Sequence, residues 1–273
     1  MNIEEIYIDK RKGSERDGEI HYHDEVHNVY GHYMAEATYD GLVEHDKRRP
    51  YIITRAAYAG TQKYSTVWTG DNHSMWAHLQ MAIPQLCNLG LSGMSFVGTD
   101  IGGFSGEPTP ELMARWIQVG AFSPLCRNHS EVGYRRQDPR MFGEEVLDIY
   151  RKYVKLRYRL IPYMYDLFLE GEKTGAPIFR PLVYHYEKDV VARTCNDEFM
   201  LGDKMLIAPV VMQGAERRMV YLPEGEWYDY WTKEKIVGPK WFIKEAPIDV
   251  CPIYVKAGSI IPVQEGDLIV GWY

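Results

Sequence analysis

The sequence has few cysteines and no pairing pattern among them. Cys87, Cys126, Cys195 and Cys251 lie far apart, and no C-x-x-C spacing occurs. Such spacing marks zinc sites and thiol redox centres, whereas dense cysteines mark small secreted domains held by disulfides. The sequence therefore argues against both classes. We expect reduced thiols in a cytoplasmic protein.

Long apolar runs and an excess of basic residues are also missing. No stretch of about 18 apolar residues occurs, so no membrane-spanning helix is predicted. The charge-rich residues 1–20 contain no apolar region of a signal peptide. The 31 Lys and Arg are outnumbered by 38 Asp and Glu, for a net charge of -7, whereas nucleic-acid binding needs a basic face. We therefore predict neither a membrane nor a nucleic-acid partner.

Aromatic residues are abundant: 21 Tyr, 7 Trp and 8 Phe make up 13% of the 273 residues. Tyr and Trp combine a flat apolar face with a polar edge, which suits sugars but also cores and interfaces. Hydrophobic residues at 45% are enough for one large domain or two modest ones. Composition alone favours a carbohydrate protein only slightly.

Short apolar runs, each ending in a polar residue, follow a helix that we predict over 24–45. Parallel strands covered by helices show this pattern, and functional residues of a (β/α)8 barrel lie at the carboxyl ends of its strands. Only about ten residues separate Arg55 from Thr66, which is short for a helical crossover. The predicted strands are Tyr51–Thr54 before Arg55, Thr66–Thr69 before Asp71, Met94–Val97 before Asp100, and Phe122–Cys126 before Arg127 and His129.

Helical segments separate the later runs. We predict one over Ser74–Leu89, kinked or interrupted at Pro84, and one starting at Thr109-Pro110. A long helix over Glu144–Glu172 is expected to bend at Pro162 and stop near Gly175.

Strand-like segments punctuated by turns make up the last third of the chain. They are Met205–Ala208, Arg218–Tyr221 and Ile253–Lys256, with a predicted turn at Pro223–Gly225. We predict a polar loop or tail over 1–20, half of a (β/α)8 barrel over 21–178, and a partial β-sandwich over 179–273. Half a barrel leaves open sheet edges, so we expect the missing half, or a completing chain, as a partner.

Six strings of this sequence resemble glycoside hydrolase family 31, in the family's order and over residues 21–264. They are RAAYAGTQKYSTVWTGDN (55–72), VGTDIGGF (97–104), FSPLCRNHS (122–130), LGDKMLIAPV, EWYDYW and VKAGSIIP. The resemblance implies a retaining α-glucosidase that acts on a glucoside or oligosaccharide without a cofactor.

The resemblance also assigns roles. Asp71 matches the general acid/base, Arg55 and Asp100 match residues that hydrogen-bond the sugar, and His129 matches a histidine that binds a hydroxyl of the same sugar. Trp68 and Phe104 match aromatic walls of that subsite. Without this context Asp71-Asn72 is typical of a turn or helix cap, and each of the other side chains could serve structure alone.

Two further patterns suggest other sites. The string His21–His27 has the composition of a metal site, yet its only histidines at helical spacing are His23 and His27, and H-E-x-x-H is absent. The glycines of 98–106 lack the Gly-Lys-Ser/Thr of a phosphate loop. We predict neither a metal nor a phosphate site.

The family's nucleophile motif, close to W-x-D-M-N-E, does not occur in these residues. A retaining enzyme needs two carboxylates, so we expect the nucleophile upstream of this sequence and little or no activity from this chain alone. The alternative is a non-catalytic remnant of the same fold that binds sugar or a partner.

Overall fold

The computed structural model describes residues 7–9 and 20–265, with side chains from residue 26 onward. The chain forms two compact units, Met1–Val67 and Trp68–Tyr273. The predicted boundary at 178/179 lies inside the second of these units and stays a prediction. None of the helices in the described residues combines the length and apolar character needed to cross a bilayer.

The first unit contains a strand pair and a long helix. Strands β1 (Tyr7–Asp9) and β2 (Ile20–Tyr22) pair antiparallel, with Tyr7 opposite Tyr22. Backbone pairing thus places a short strand in the segment predicted as a polar loop or tail. Helix α1 (His23–Asp46) confirms the helix predicted over 24–45.

A short parallel pair follows α1. Strand β3 (Ile53–Thr54) pairs with β4 (Thr66–Trp68), Ile53 lying opposite Thr66. A single 3-10 turn at Thr61–Lys63 lies between them, where the ten-residue spacing leaves no room for a helix. His32 of α1 reaches this turn, since its Nδ1 lies 3.0 Å from the hydroxyl of Thr61.

Helices and short strands alternate at the start of the second unit. They are α2 (Trp76–Leu91), β5 (Val97–Gly98), α3 (Pro110–Gly120) and α4 (Glu144–Thr174). As predicted, Thr109 caps α3 by accepting a hydrogen bond from the Leu112 N–H at 3.2 Å. Helix α2 continues through Pro84, so Pro84 does not interrupt it, and the predicted kink stays a prediction. Helix α4 contains Pro162 and ends at Gly175, whose φ of 77 is left-handed.

The prediction of a fourth strand over Phe122–Cys126 is wrong. The segment forms bends, and Pro124 within it has no N–H to donate to a ladder. It still runs beside β5, because the Leu125 N–H donates to the Val97 carbonyl at 2.9 Å. One isolated parallel bridge joins Asp100 to Arg127. The segment therefore follows the path of a strand without a strand's ladder.

A six-stranded sheet fills the last third of the chain. Its order is β10-β9-β11-β8-β7-β6, and all neighbouring strands are antiparallel. Its strands are β6 (Phe179–Arg180), β7 (Phe199–Leu201), β8 (Met205–Ile207), β9 (Arg217–Asp229), β10 (Lys235–Glu245) and β11 (Ile253–Lys256). Helix α5 (Val190–Thr194) lies between β6 and β7 in the chain.

The predicted turn at Pro223–Gly225 is also wrong, because these residues lie inside β9. Gly225 pairs with Gly238 of β10, and the register shifts between Gly238 and Lys240. A register irregularity lets a strand absorb Pro and Gly without ending. Below this hairpin a core forms around Leu206, Val220, Leu222, Trp227 and Tyr254.

Glu198, directly before β7, has a buried carboxyl group. Its Oε1 accepts hydrogen bonds from Arg218 at 3.0 Å and from the Tyr221 N–H at 2.9 Å. Burial raises the pKa of Glu198 from 4.5 to about 8, although Arg218 opposes the shift.

This raised pKa predicts a pH dependence of stability. The folded carboxyl keeps its proton up to about pH 8, whereas the unfolded one loses it near 4.5. The folded state therefore binds more protons in that window, and stability falls as pH rises through it. We expect Glu198→Gln to reduce this fall, measured by urea unfolding from about pH 5 to about pH 9. The exposed Glu145→Gln is the matched control, and a Glu198→Gln profile parallel to that of the wild type would contradict the prediction.

Candidate active site

Asp100 forms the buried centre of the candidate site. It follows β5, is 0% exposed, and its Oδ1 accepts from Arg127 Nε at 2.8 Å. Burial raises the pKa of Asp100, and the Arg127 hydrogen bond acts in the opposite direction. Its second oxygen, Oδ2, is buried and has no hydrogen-bond partner within the described residues. One acceptor of this buried carboxylate is therefore unsatisfied within the described residues.

Trp68, at the end of β4, lies against the same arginine. The Arg127 guanidinium is 4.8 Å from the centre of the indole ring. The indole N–H is buried and, over residues 26–265, has no acceptor. Arg127 therefore orients both the carboxylate of Asp100 and the ring of Trp68.

Phe104 and His129 form an aromatic pair beside this centre. Their rings stack with centroids 5.3 Å apart and an interplanar angle of 26°. His129 is exposed, so one ring edge stays available to a ligand. Smaller effects on the pKa of Asp100 come from His129, which lowers it, and from Asp71, which raises it. Five of the six predicted site residues therefore gather in the second unit.

Asp71 is exposed, and the next residue, Asn72, is buried. Asn72 links Asp71 to Asp100 and Phe104. The Asn72 amide donates to the carbonyl of Asp100 at 3.1 Å. Its amide oxygen accepts from the Phe104 N–H, also at 3.1 Å. The predicted acid/base is thus held in register with the loop that carries Phe104.

Gln137 links the loop that carries Phe104 to the loop that carries His129. Its side-chain amide donates to the carbonyl of Gly103 at 2.6 Å. Its own backbone carbonyl accepts from the Asn128 side chain at 2.9 Å. The two loops that bring Phe104 and His129 together are therefore linked through one residue.

Sequence reasoning missed Arg127, Asn72 and Gln137 as site residues. Arg127 was visible in the string Arg-Asn-His at the end of an apolar run, and Asn72 directly follows Asp71. Nothing in the sequence marks Gln137.

Two sequence predictions concern residues elsewhere. Arg55 directly follows β3 in the first unit and is exposed. Its role stays a prediction. The side chains of His21 and His23 lie outside the described residues. Within those that are described, no group of three His, Cys, Asp or Glu side chains is arranged to hold a metal ion.

Gly103 allows its loop to approach the backbone of His73 and Ser74 closely. Its φ is +93, and a Cβ there would lie 2.4 Å from the backbone nitrogen of Ser74. Gly133 also has a positive φ of +108, but a Cβ there would meet nothing within 4 Å. Substituting each glycine in turn therefore distinguishes the cost of left-handed backbone strain from the cost of steric overlap.

We expect Gly103→Ala to cost about 2 kcal/mol more stability than Gly133→Ala, because only the former adds overlap to left-handed strain. Urea unfolding of both variants measures the difference. Equal losses would show that the loops move apart freely.

Two family models match most of the chain. The model for the glycosyl hydrolases family 31 TIM-barrel domain matches residues 2–167. The chain belongs to glycosyl hydrolase family 31. The model for the family 31 C-terminal domain matches residues 175–261. The predicted fold, part of a (β/α)8 barrel followed by a β domain, is confirmed.

Individual relatives are similar over nearly the whole chain. "Alpha-glucosidase 2" of Bacillus thermoamyloliquefaciens is 47% identical over 252 residues, which is 92% of this chain and 32% of the relative. "Probable glucan 1,3-alpha-glucosidase" of Arabidopsis thaliana is 44% identical over 89% of this chain and 27% of its own length. The chain thus spans about a third or less of these relatives.

Solved structures extend the comparison. A GH31 dextranase of Flavobacterium johnsoniae, complexed with glucose, superposes with a TM-score of 0.84 at 38% identity, covering 89% of this chain and 32% of the dextranase. A GH31 alpha-xylosidase from a soil metagenome, complexed with xylose, gives 0.82 at 31% identity, over 89% of this chain and 40% of the xylosidase.

Proposed function

We propose that this chain supplies the acid/base part of a retaining α-glycosidase that hydrolyses terminal α-linked glucose from oligosaccharides. The observation that carries the proposal is the cluster in the second unit. An exposed Asp71 is tied through Asn72 to a buried Asp100–Arg127 pair and to the Phe104–His129 stack. Relatives at 47% and 44% identity bear α-glucosidase names, which supports glucose as the sugar.

Asp71 acts first as an acid in this proposal. An alkoxide leaves poorly, so the carboxylic acid protonates the glycosidic oxygen as its bond to the anomeric carbon breaks. A second carboxylate forms a bond to that carbon, giving a glycosyl-enzyme. Asp71, now ionised, then takes a proton from water as the water oxygen bonds to the anomeric carbon and releases the second carboxylate.

The other residues hold the sugar during these steps. The unpartnered Oδ2 of Asp100 accepts a hydroxyl hydrogen in a charge-assisted bond. His129 contacts a hydroxyl of the same ring, while Trp68 and Phe104 enclose its apolar face. The family resemblance assigns Arg55 a further hydrogen bond to the sugar.

The second carboxylate comes from outside these 273 residues, because W-x-D-M-N-E is absent from them. We therefore expect the purified chain to show little or no turnover of para-nitrophenyl α-glucoside. Clear turnover that Asp71→Asn abolishes would overturn this expectation.

The same absence favours a second candidate function, a non-catalytic remnant that binds sugar or a partner subunit. An in-frame W-x-D-M-N-E in the DNA upstream of this sequence would decide for the enzyme.

A further inference from the structure

A cleft of about 580 Å³ opens in the β domain, formed by residues that take no part in the candidate active site. We call it the Tyr221 cleft. Its volume lies within the range of small-molecule sites, about 300–1,000 Å³. It is lined by His185, Tyr186, Glu187, Asp189, Tyr221 and Glu224, among others.

One wall of the Tyr221 cleft is held rigidly. Asp189 accepts the backbone N–H groups of Val191 and Ala192 at 2.9 and 3.2 Å, which caps α5. Its other oxygen accepts the phenol hydrogen of Tyr221 at 2.5 Å. Helix α5 and strand β9 are therefore joined at the wall, which organises the cleft before any ligand binds.

Three charged side chains of the lining lack polar partners within the described part of the chain, whereas His185 Nε2 lies 3.2 Å from Arg180 Nη1. Neither Glu187, Glu224 nor Lys188 makes a side-chain hydrogen bond to another described residue. Three carboxylates, counting Asp189, against one ammonium group give the cleft an acidic character. Phosphates and other anions are disfavoured there, whereas hydroxyl groups can donate to the free carboxylates.

An aromatic surface borders these acceptors. The Trp241 ring lies 4.9 Å from that of Tyr221, tilted by 45°, yet the residue is 50% exposed. Trp241 lies opposite Tyr221 in the β9–β10 pairing, two residues beyond Pro239 of the cleft lining. A flat exposed ring beside hydrogen-bond acceptors matches a sugar, which has apolar C–H faces and hydroxyl edges.

We propose that the Tyr221 cleft is a second, non-catalytic binding site for an α-linked gluco-oligosaccharide. The identity of the sugar rests on the proposed function, whereas the site itself rests on the cleft. Glu187 and Glu224 accept hydroxyl hydrogens, and Trp241 stacks on a sugar ring at the rim. The site holds a long substrate on the β domain while another part of it occupies the active site.

Native gel electrophoresis of the full 273-residue chain, in gels containing soluble maltodextrin or dextran, tests this proposal. We expect the polymer to retard the wild type, with about tenfold weaker retardation for Trp241→Ala. Glu224→Gln, which keeps the side chain's shape, weakens it as well. Ile243→Ala is the matched control: Ile243 is exposed on the same strand but lies opposite Met219 instead of Tyr221, and its variant should bind normally.

Two results would overturn the proposal. One is no retardation by either polymer. The other is retardation that Asp100→Asn abolishes while Trp241→Ala and Glu224→Gln, folded as judged by circular dichroism, bind like the wild type. Neither result bears on hydrolysis by a completed enzyme, so failure of this site and failure of the proposed function are distinguishable.

Discussion

Asp71→Asn is expected to lower kcat about a thousandfold in an enzyme completed by the missing carboxylate, because general acid/base catalysis contributes roughly 10²–10⁴. A chimera provides the completed enzyme. In the Bacillus α-glucosidase relative, the 252-residue matched segment is replaced by the corresponding part of this chain. Hydrolysis of maltose measures kcat, and the exposed Asp148→Asn on α4 serves as the control.

The choice of leaving group separates an acid from a structural aspartate. Para-nitrophenolate leaves without much help from a proton, whereas the sugar oxygen of maltose needs protonation. Asp71→Asn should therefore retain far more activity in forming the glycosyl-enzyme from para-nitrophenyl α-glucoside than from maltose. A merely structural Asp71 would lower both rates by the same factor, and such a result would remove Asp71 from the mechanism.

Added azide tests the second step of the same variant. Azide is a nucleophile that needs no base, so it should release the glycosyl-enzyme where water cannot. The product should be an α-glucosyl azide, because a second displacement restores the configuration. Absence of rescue, together with equal losses on both substrates, would favour the non-catalytic alternative.

Elements with strong local signals could be predicted from the sequence. Helix α1 and the cap at Thr109 follow from periodicity and from a capping residue before proline. The segment Phe122–Cys126 has the apolar character of a strand, but Pro124 lacks the donor that a ladder requires. Residues of β9 around Gly225 have the Pro and Gly of a turn. They stay in the strand because the register shifts on β10, more than ten residues away, and local sequence does not show this.

The candidate site shows the same division. Asp71, Asp100 and His129 stand at the ends of apolar runs, so their positions could be read from the sequence. Gln137 could not, because it acts through the carbonyl of Gly103, 34 residues away along the chain. Which polar groups pair across loops depends on the folded backbone and not on local sequence.

Arg115 on α3 bonds the barrel region to the β domain. This arginine is 1% exposed. Its guanidinium donates to the carbonyls of Ala215 and Ala246 at 3.0 and 2.8 Å, and to those of Pro247 and Val250 at 3.2 and 3.1 Å. A helix of the barrel region is thereby bonded to loops of the β domain. These hydrogen bonds cross the predicted boundary at 178/179, which itself stays a prediction.

Arg115→Met is therefore expected to cost about 3–5 kcal/mol of stability, because it leaves four carbonyls without their donor. That loss is a large part of a typical stability of about 5–15 kcal/mol. Arg115→Lys keeps the charge but lacks the planar fork that reaches all four acceptors, so we expect an intermediate loss. Urea unfolding measures each value, with the exposed Arg151→Met, whose pair with Asp148 should be worth less than about 1 kcal/mol, as the control.

The stability losses of Arg115→Met and Arg115→Lys, compared with each other, distinguish two roles for this side chain. If Arg115 only fills space, methionine, which is apolar and of similar length, should be tolerated better than lysine. If Arg115 joins the barrel helix to the β domain through its donors, lysine should be tolerated better than methionine. Finding Arg115→Met within about 1 kcal/mol of the wild type would mean that the four carbonyls find water instead, and that the two regions are held together by apolar packing.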